Sequence, residues 1–189
     1  LGRVEEYQRW FDRLFPDEGL SRNTILKALA AYQRTIVAGW SPFDRWVAGD
    51  EYAISAEATA GFKLFTGKAG CANCHSGWNF TDGKFHDIGL YDEDIGRGAV
   101  DTKDPKARYA FKTPSLRNIS YRAPYMHYGL MSDLNEVIDH FATGGIERAS
   151  RSDLMQPFEL DDSEKRQLIA FLHSLTAEKT KTAMPILPN

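Results

Sequence analysis

The sequence predicts an all-α protein on three observations. Five stretches carry apolar residues every three or four positions, capping or helix-breaking residues bracket each of them, and no comparable run alternates with period two. The chain has 189 residues, 42% hydrophobic and 12% aromatic, which is enough to bury a core. Its formal charge of -3 argues against a nucleic-acid binder. No run of about 18 apolar residues occurs, so no membrane span is expected. The chain opens at Leu1 without a charged start and an apolar segment. A mature exported chain would read this way, and so would a segment of a longer protein.

The first stretch carries Val4, Tyr7, Trp10, Phe11 and Leu14, and Pro16 and Gly19 close it. Ser21 can cap the second, whose Ile25, Leu29, Tyr32 and Ile36 share a face ending before Gly39. Ser55 opens the third through Ala58, Phe62 and Phe65, stopping near Gly67 or Gly70. The fourth runs through Leu134, Val137, Ile138 and Phe141, started by Ser132 or Asp133 and ended by Gly144-Gly145. The last begins at Asp161 with Glu164 as its capping-box partner, and carries Leu168, Phe171, Leu172 and Leu175. Between His75 and Ser132 lie 56 residues without an amphipathic pattern. A loop of that length suits a domain in which it wraps something else, and an apolar prosthetic group would supply the packing surface. Residues 28–36 also echo residues 167–175. Amphipathic helices resemble one another, which is one explanation; two related domains is the other.

The chemistry is carried by Cys71-Ala72-Asn73-Cys74-His75, which contains the only two cysteines. Cys-x-x-Cys-His is the attachment signature of c-type haem: each thiol adds to one vinyl group and the adjoining imidazole lies under the iron. A zinc site would want about four Cys or His ligands, and no second CxxC exists. A redox dithiol would want a βαβ context, which is absent. Gly61 and Phe65 pair in sequence logic with Ala170, Phe171 and Leu172, because a glycine on one face lets a second helix approach while rings interlock beside it. This resembles the crossed terminal helices of class I cytochromes c, with long loops wrapped around the haem.

Several motifs then agree. Ser41-Pro42-Phe43-Asp44-Arg45, the CxxCH leading into Phe80-Thr81-Asp82-Gly83-Lys84-Phe85-His86, Gly96-Arg97, the run from Phe111 to Asn118, and Ala123-Pro124-Tyr125-Met126-His127 stand in this order. The chain resembles the bacterial di-haem cytochrome c peroxidase and MauG family from about Ser21 to Ala177. The resemblance implies three parts. Residues 1–50 would be the helical tail of an amino-terminal haem domain whose own CxxCH is not in this chain; residues 51–177 a cytochrome c-like haem domain; residues 178–189 a C-terminal extension.

It also implies a function: one covalent haem c relaying electrons from a small donor protein, such as a cytochrome c or cupredoxin, to a companion haem domain that reduces hydrogen peroxide. A MauG-like oxidation of protein side chains and a monohaem electron carrier without catalysis are the alternatives. Haem c attachment outside the cytoplasm implies a periplasmic location.

In the family a Met or Tyr of the helix after the Pro-Tyr-x-His segment usually provides the second axial ligand. Counting from His127 places that position at Phe141, whose ring has no lone pair to give. Either the iron is five-coordinate, or His140, His127, Met126, Met131 or Met155 substitutes. His127 is also a candidate for a polar or propionate contact. Between Arg97 and Arg122 stand seven Lys or Arg against Asp101 and Asp104, and Arg97 and Arg117 lie in the family motifs as propionate partners. That basic stretch reads equally as a solvated loop or as a dock for an acidic donor. The family's interdomain calcium would take backbone carbonyls of Arg122 and Pro124. His86 and His173 carry weaker signals, His173 reading as exposed. Trp40, Trp46 and Trp78 read as core or interdomain packing rather than an electron relay.

Overall fold

The computed structural model describes residues 1–90, 93–179 and 186–188. The expected C-terminal extension therefore lies largely outside the described residues. Two compact units form: residues 1–39 with residues from 179 onward, and residues 40–178.

In the first unit, α1 (Glu5–Leu14) has Glu5 and Glu6 in its first turn and Arg13 in its last, complementing the helix dipole. α2 (Arg22–Thr35) starts from Ser21, whose hydroxyl accepts from the Thr24 amide while Thr24 Oγ1 accepts from the Ser21 amide. Thr24 is fully buried, yet Leu29, Tyr32 and Ile36 on the apolar face are more than half exposed.

The second unit opens with α3 (Pro42–Val47), which periodicity does not predict because six residues are too few to show it. Its start is nonetheless written locally. Ser41 and Asp44 make a reciprocal capping box, and Pro42 takes the first turn. Residues 40–50, expected with the amino-terminal tail, pack with this unit because Phe43 inserts into its aromatic core. Ring centroids lie 5.5 Å from Phe171, 5.4 Å from Phe62 and 5.5 Å from Phe80.

α4 (Ala56–Thr66) and α6 (Asp162–Ser174) make the main helix crossing. A Cβ built on Gly61 would stand 1.9 Å from the Gln167 carbonyl oxygen, so only glycine allows this approach. Phe65 and Phe171 meet beside it with centroids 4.9 Å apart. α5 (Leu134–Thr143) is capped by Asp133 and ends at left-handed Gly144. Lys165 ties α6 to Asp139 of α5, and Lys68 holds Glu164 at the α6 start.

The 56-residue segment is built of short 3-10 turns and one antiparallel pair, β1 (Phe85–His86) against β2 (Phe111–Lys112). Two-residue strands leave no alternating pattern, so the all-α expectation holds apart from this ladder. Of Trp40, Trp46 and Trp78, only Trp46 packs on the aromatic core; Trp40 and Trp78 are exposed.

Candidate functional site

The long segment, the start of the CxxCH turn, α5 and the loop before α6 enclose a cavity of about 690 Å³ with a mainly apolar lining. That volume lies within the usual range for bound small molecules and cofactors. Cys71, Cys74 and His75 share its wall. Gly70, left-handed at φ 63°, ends the α4 extension and starts the 3-10 turn Cys71–Asn73. This turn presents both sulfurs and the imidazole from one short stretch.

His75 Nδ1 lies 3.0 Å from the Phe80 carbonyl, to which an Nδ1–H donates, leaving Nε2 as the lone-pair nitrogen. Phe80 adopts a left-handed backbone at φ 50°, rare for a bulky residue, while its ring is buried in the aromatic core. Burial lowers the His75 pKa, with the Phe80 carbonyl pulling the other way. The balance favours the neutral imidazole that binds metals. Burial pushes the Cys71 thiol up to about 12. It raises Cys74 too, with the Asp82 carboxylate adding to the effect. Both therefore stand as thiols at neutral pH, unlike the low-pKa thiolates of redox dithiols.

Asp82 and His86 stand beside them. His86 Nε2 is 2.8 Å from Asp82 and Nδ1 is 3.1 Å from Ser152 Oγ. Burial would raise Asp82, but His86 and hydrogen bonds from Lys84 and Thr113 hold it at about 2. Cys74, Asp82 and His86 have potential ligand atoms within 4.8 Å of one another. With three donors, two already paired together and the third a neutral thiol, they make a poor zinc site.

Several sequence-based assignments change. Arg117 does not line the cavity. Its Nη1 meets Asp44 at 2.6 Å, and Nε and Nη2 donate to the Trp78 carbonyl at 2.9 and 2.6 Å. This guanidinium joins α3 to the loop after His75. Arg97 is exposed and stacks over Phe85 at 4.8 Å, also off the cavity wall. The cations on the wall are Lys112, Arg122 and Arg148. Arg148 lies over Tyr109 at 4.1 Å and pairs with fully buried Asp87, which also accepts from Ser150. Asp87 and Arg148 are 61 positions apart, and no local pattern links them.

His140 Nε2 is 3.0 Å from the Ile88 carbonyl and the ring is not on the cavity lining. Met131 is also off the wall; its backbone bridges Tyr125. Met126, His127, Phe141 and Met155 are on it, as are Arg122 and Pro124. His127 Nε2 is 3.1 Å from Asp94, and its ring packs 4.1 Å from those of Phe111 and Tyr128. His173 is exposed as expected and bonds Ser120.

Comparison with known proteins agrees with this geometry. Residues 1–52 match the family described as di-haem cytochrome c peroxidase, and residues 58–176 match cytochrome c. The methylamine utilization protein MauG of Methylorubrum extorquens is 52% identical over the whole chain, which covers 54% of that protein. The cytochrome c551 peroxidase of Pseudomonas aeruginosa is 31% identical over the whole chain, again with 54% of its length covered. A solved MauG-like protein associated with microbial copper homeostasis superposes with a TM-score of 0.79 at 34% identity, over 92% of this chain and 59% of that one. The chain spans about half the length of the curated relatives it matches. Its cytochrome c part implies covalent haem c. Among the described residues no helix is long and apolar enough to cross a membrane.

Proposed function

The chain belongs to the di-haem cytochrome c peroxidase and MauG family, and from that premise we propose that it is the electron-relaying haem portion of a longer peroxide-reducing protein. The observation that carries this reading is the placement of two thiols and one oriented imidazole on a single wall of an apolar cavity. A haem bound there supplies a reversible one-electron carrier. Cys71 and Cys74 would hold the porphyrin through thioether bonds to its two vinyl groups. His75 offers Nε2 to the iron, and the Phe80 carbonyl fixes its ring and tautomer. Lys112 and Arg122 on the cavity wall would be the cations to meet the propionates, Arg148 being held by Asp87 and Arg97 and Arg117 lying off that wall. The apolar lining would keep water from the metal and so favour the reduced, less charged state.

Within this reading the chain carries one haem. A companion haem domain activates hydrogen peroxide, a small donor protein such as a cytochrome c or cupredoxin supplies electrons, and the location is periplasmic. Calcium would take the carbonyls of Arg122 and Pro124, neither of which accepts a hydrogen bond among the described residues. The remaining ligands would come from outside the described chain. A MauG-like oxidation of a partner's side chain is the second reading, favoured by the 52% identity to the M. extorquens protein. Kinetics of the full-length protein with peroxide and either a reduced donor protein or a protein substrate separate the two.

The direct test is expression in a host that installs haem c, followed by a pyridine haemochrome assay and intact mass. One covalent haem per chain is expected. A colourless product with the bare polypeptide mass overturns the reading.

A further inference from the structure

The carbonyl that orients His75 stands at the end of a loop with little regular structure of its own. Its turn is closed by the Phe80 amide on the Gly77 carbonyl and the Thr81 amide on the Ser76 carbonyl, at 3.1 and 2.9 Å. Phe80 presents its carbonyl to His75 Nδ1 from a left-handed backbone at φ 50°. A bulky residue keeps that conformation only where its surroundings over-determine it.

The surroundings come from residues 115–117. Arg117 Nε and Nη2 both donate to the Trp78 carbonyl, at 2.9 and 2.6 Å, and the guanidinium carbon lies 5.3 Å from the centre of the Phe80 ring. Ser115 Oγ donates to Asn79 Oδ1 at 2.7 Å and accepts from the Arg117 amide at 3.1 Å. One short stretch thus grips Trp78, Asn79 and Phe80 in succession. The Pro114 carbonyl, next to that stretch, also bears on His75. The guanidinium is itself anchored, because Nη1 donates to Asp44 Oδ2 at 2.6 Å and the same oxygen accepts from the Ser41 hydroxyl and amide at the start of α3. Only 13% of the Arg117 side chain is exposed, so the pair is better shielded than a surface one. Arg117 uses the main chain of Trp78, whose indole stands exposed.

We propose that Arg117 is a positioning residue for His75, acting through the Trp78–Phe80 loop to hold the Phe80 carbonyl on Nδ1 and so to set the basicity of Nε2. This rests on the haem-binding reading above. A carbonyl that accepts from Nδ1–H raises the basicity of the ligating nitrogen, which stabilises the oxidised metal. Loosening that carbonyl therefore raises the reduction potential. The bare charge of Arg117 acts with the opposite sign, since removing a nearby cation stabilises the oxidised state and lowers the potential. Lysine separates the two effects. It keeps the charge but lacks the planar fork that spans the Trp78 carbonyl and Asp44.

The experiment compares haem-loaded wild type with Arg117→Lys after a pyridine haemochrome count. Redox titration gives the potential, and NMR of the reduced protein gives the exchange rate of the His75 Nδ1–H. Arg117→Lys should raise the potential and speed the exchange about tenfold, the factor that goes with one loosened hydrogen bond. Trp78→Ala, which leaves the main-chain carbonyl in place, should move neither. Asn79→Ala removes the Ser115 grip without changing charge and should shift both readouts the same way by less; it decides the matter where Arg117→Lys does not retain haem. A potential that is lowered in haem-loaded Arg117→Lys, or unmoved because the Pro114 carbonyl alone holds the ring, overturns the inference and leaves haem binding intact. Absence of haem from the wild-type count overturns the underlying reading instead.

Discussion

Residues 28–36 of α2 and residues 167–175 of α6 carry much the same succession of apolar and polar side chains, and they end in opposite environments. In α6, Leu168 and Phe171 are buried to within 2% and Leu175 completely. In α2, Leu29, Tyr32 and Ile36 stand 53%, 63% and 65% exposed. The pattern states which face of a helix wants cover; it does not supply the cover. α6 is covered because α4 presents a notch at Gly61 and a ring at Phe65, with Phe43 and Phe80 filling in around Phe171. On α2 the same stripe stays exposed to solvent.

Truncation gives the widest contrast between the two helices. Phe171→Ala should destabilise the haem-loaded chain by about 3–5 kcal/mol, the cost of emptying a packed aromatic site, whereas Tyr32→Ala should stay within about 0.5 kcal/mol. Chemical unfolding followed through haem absorbance measures both, and equal losses would end the comparison. Next in size is Gly61→Ala. In an uncrowded helix this change stabilises by up to about 1 kcal/mol. Here the methyl group would meet the Gln167 carbonyl, so a loss near about 3 kcal/mol is expected, and the sign alone decides whether the α4–α6 approach is as close as described.

Helix starts should behave more alike. Asp161→Ala and Ser21→Ala each remove a side-chain acceptor from a capping box and should each cost about 1 kcal/mol locally. Only the Asp161 change should move the unfolding transition seen by the haem.

The smallest effect is in acid. Asp82 has its folded pKa depressed to about 2, so its contribution is complete above an unfolded carboxyl pKa of about 4 and is lost as pH falls through about 2. Asp82→Asn should flatten that part of the acid-unfolding curve. Glu18 of the first unit is also lowered, by its hydrogen bonds to Lys27 and Asn23. It is solvent-exposed, so Glu18→Gln should leave the curve unchanged at moderate salt.

Much of the site is legible in the sequence because it is written in neighbouring residues. Cys71, Cys74 and His75 lie within five positions, and a single turn suffices to present them together. The capping residues Ser21, Ser55, Asp133 and Asp161 likewise act on amides two or three positions away. Gly61 is legible for a different reason: a glycine beside an aromatic on an amphipathic face has few uses other than close approach. Arg117 is misleading because its motif names the residue and not its direction. Its partners are Asp44 and Trp78, distant in sequence, and a long side chain is free to choose among them. Arg148 gives no signal for the same reason, its partner Asp87 lying 61 positions away.

The sequence by itself determined five of the six α-helices among the described residues and the gathering of Cys71, Cys74 and His75 in one turn, since periodicity, capping and that spacing are interactions over a few residues. Tertiary structure alone decided which cations face the cavity, that His140 turns to Ile88, that α5 shows it only hydrocarbon, and which of two similar helices is buried. Those outcomes depend on groups tens of residues apart competing for the same space and the same hydrogen bonds, and only the folded chain settles that competition.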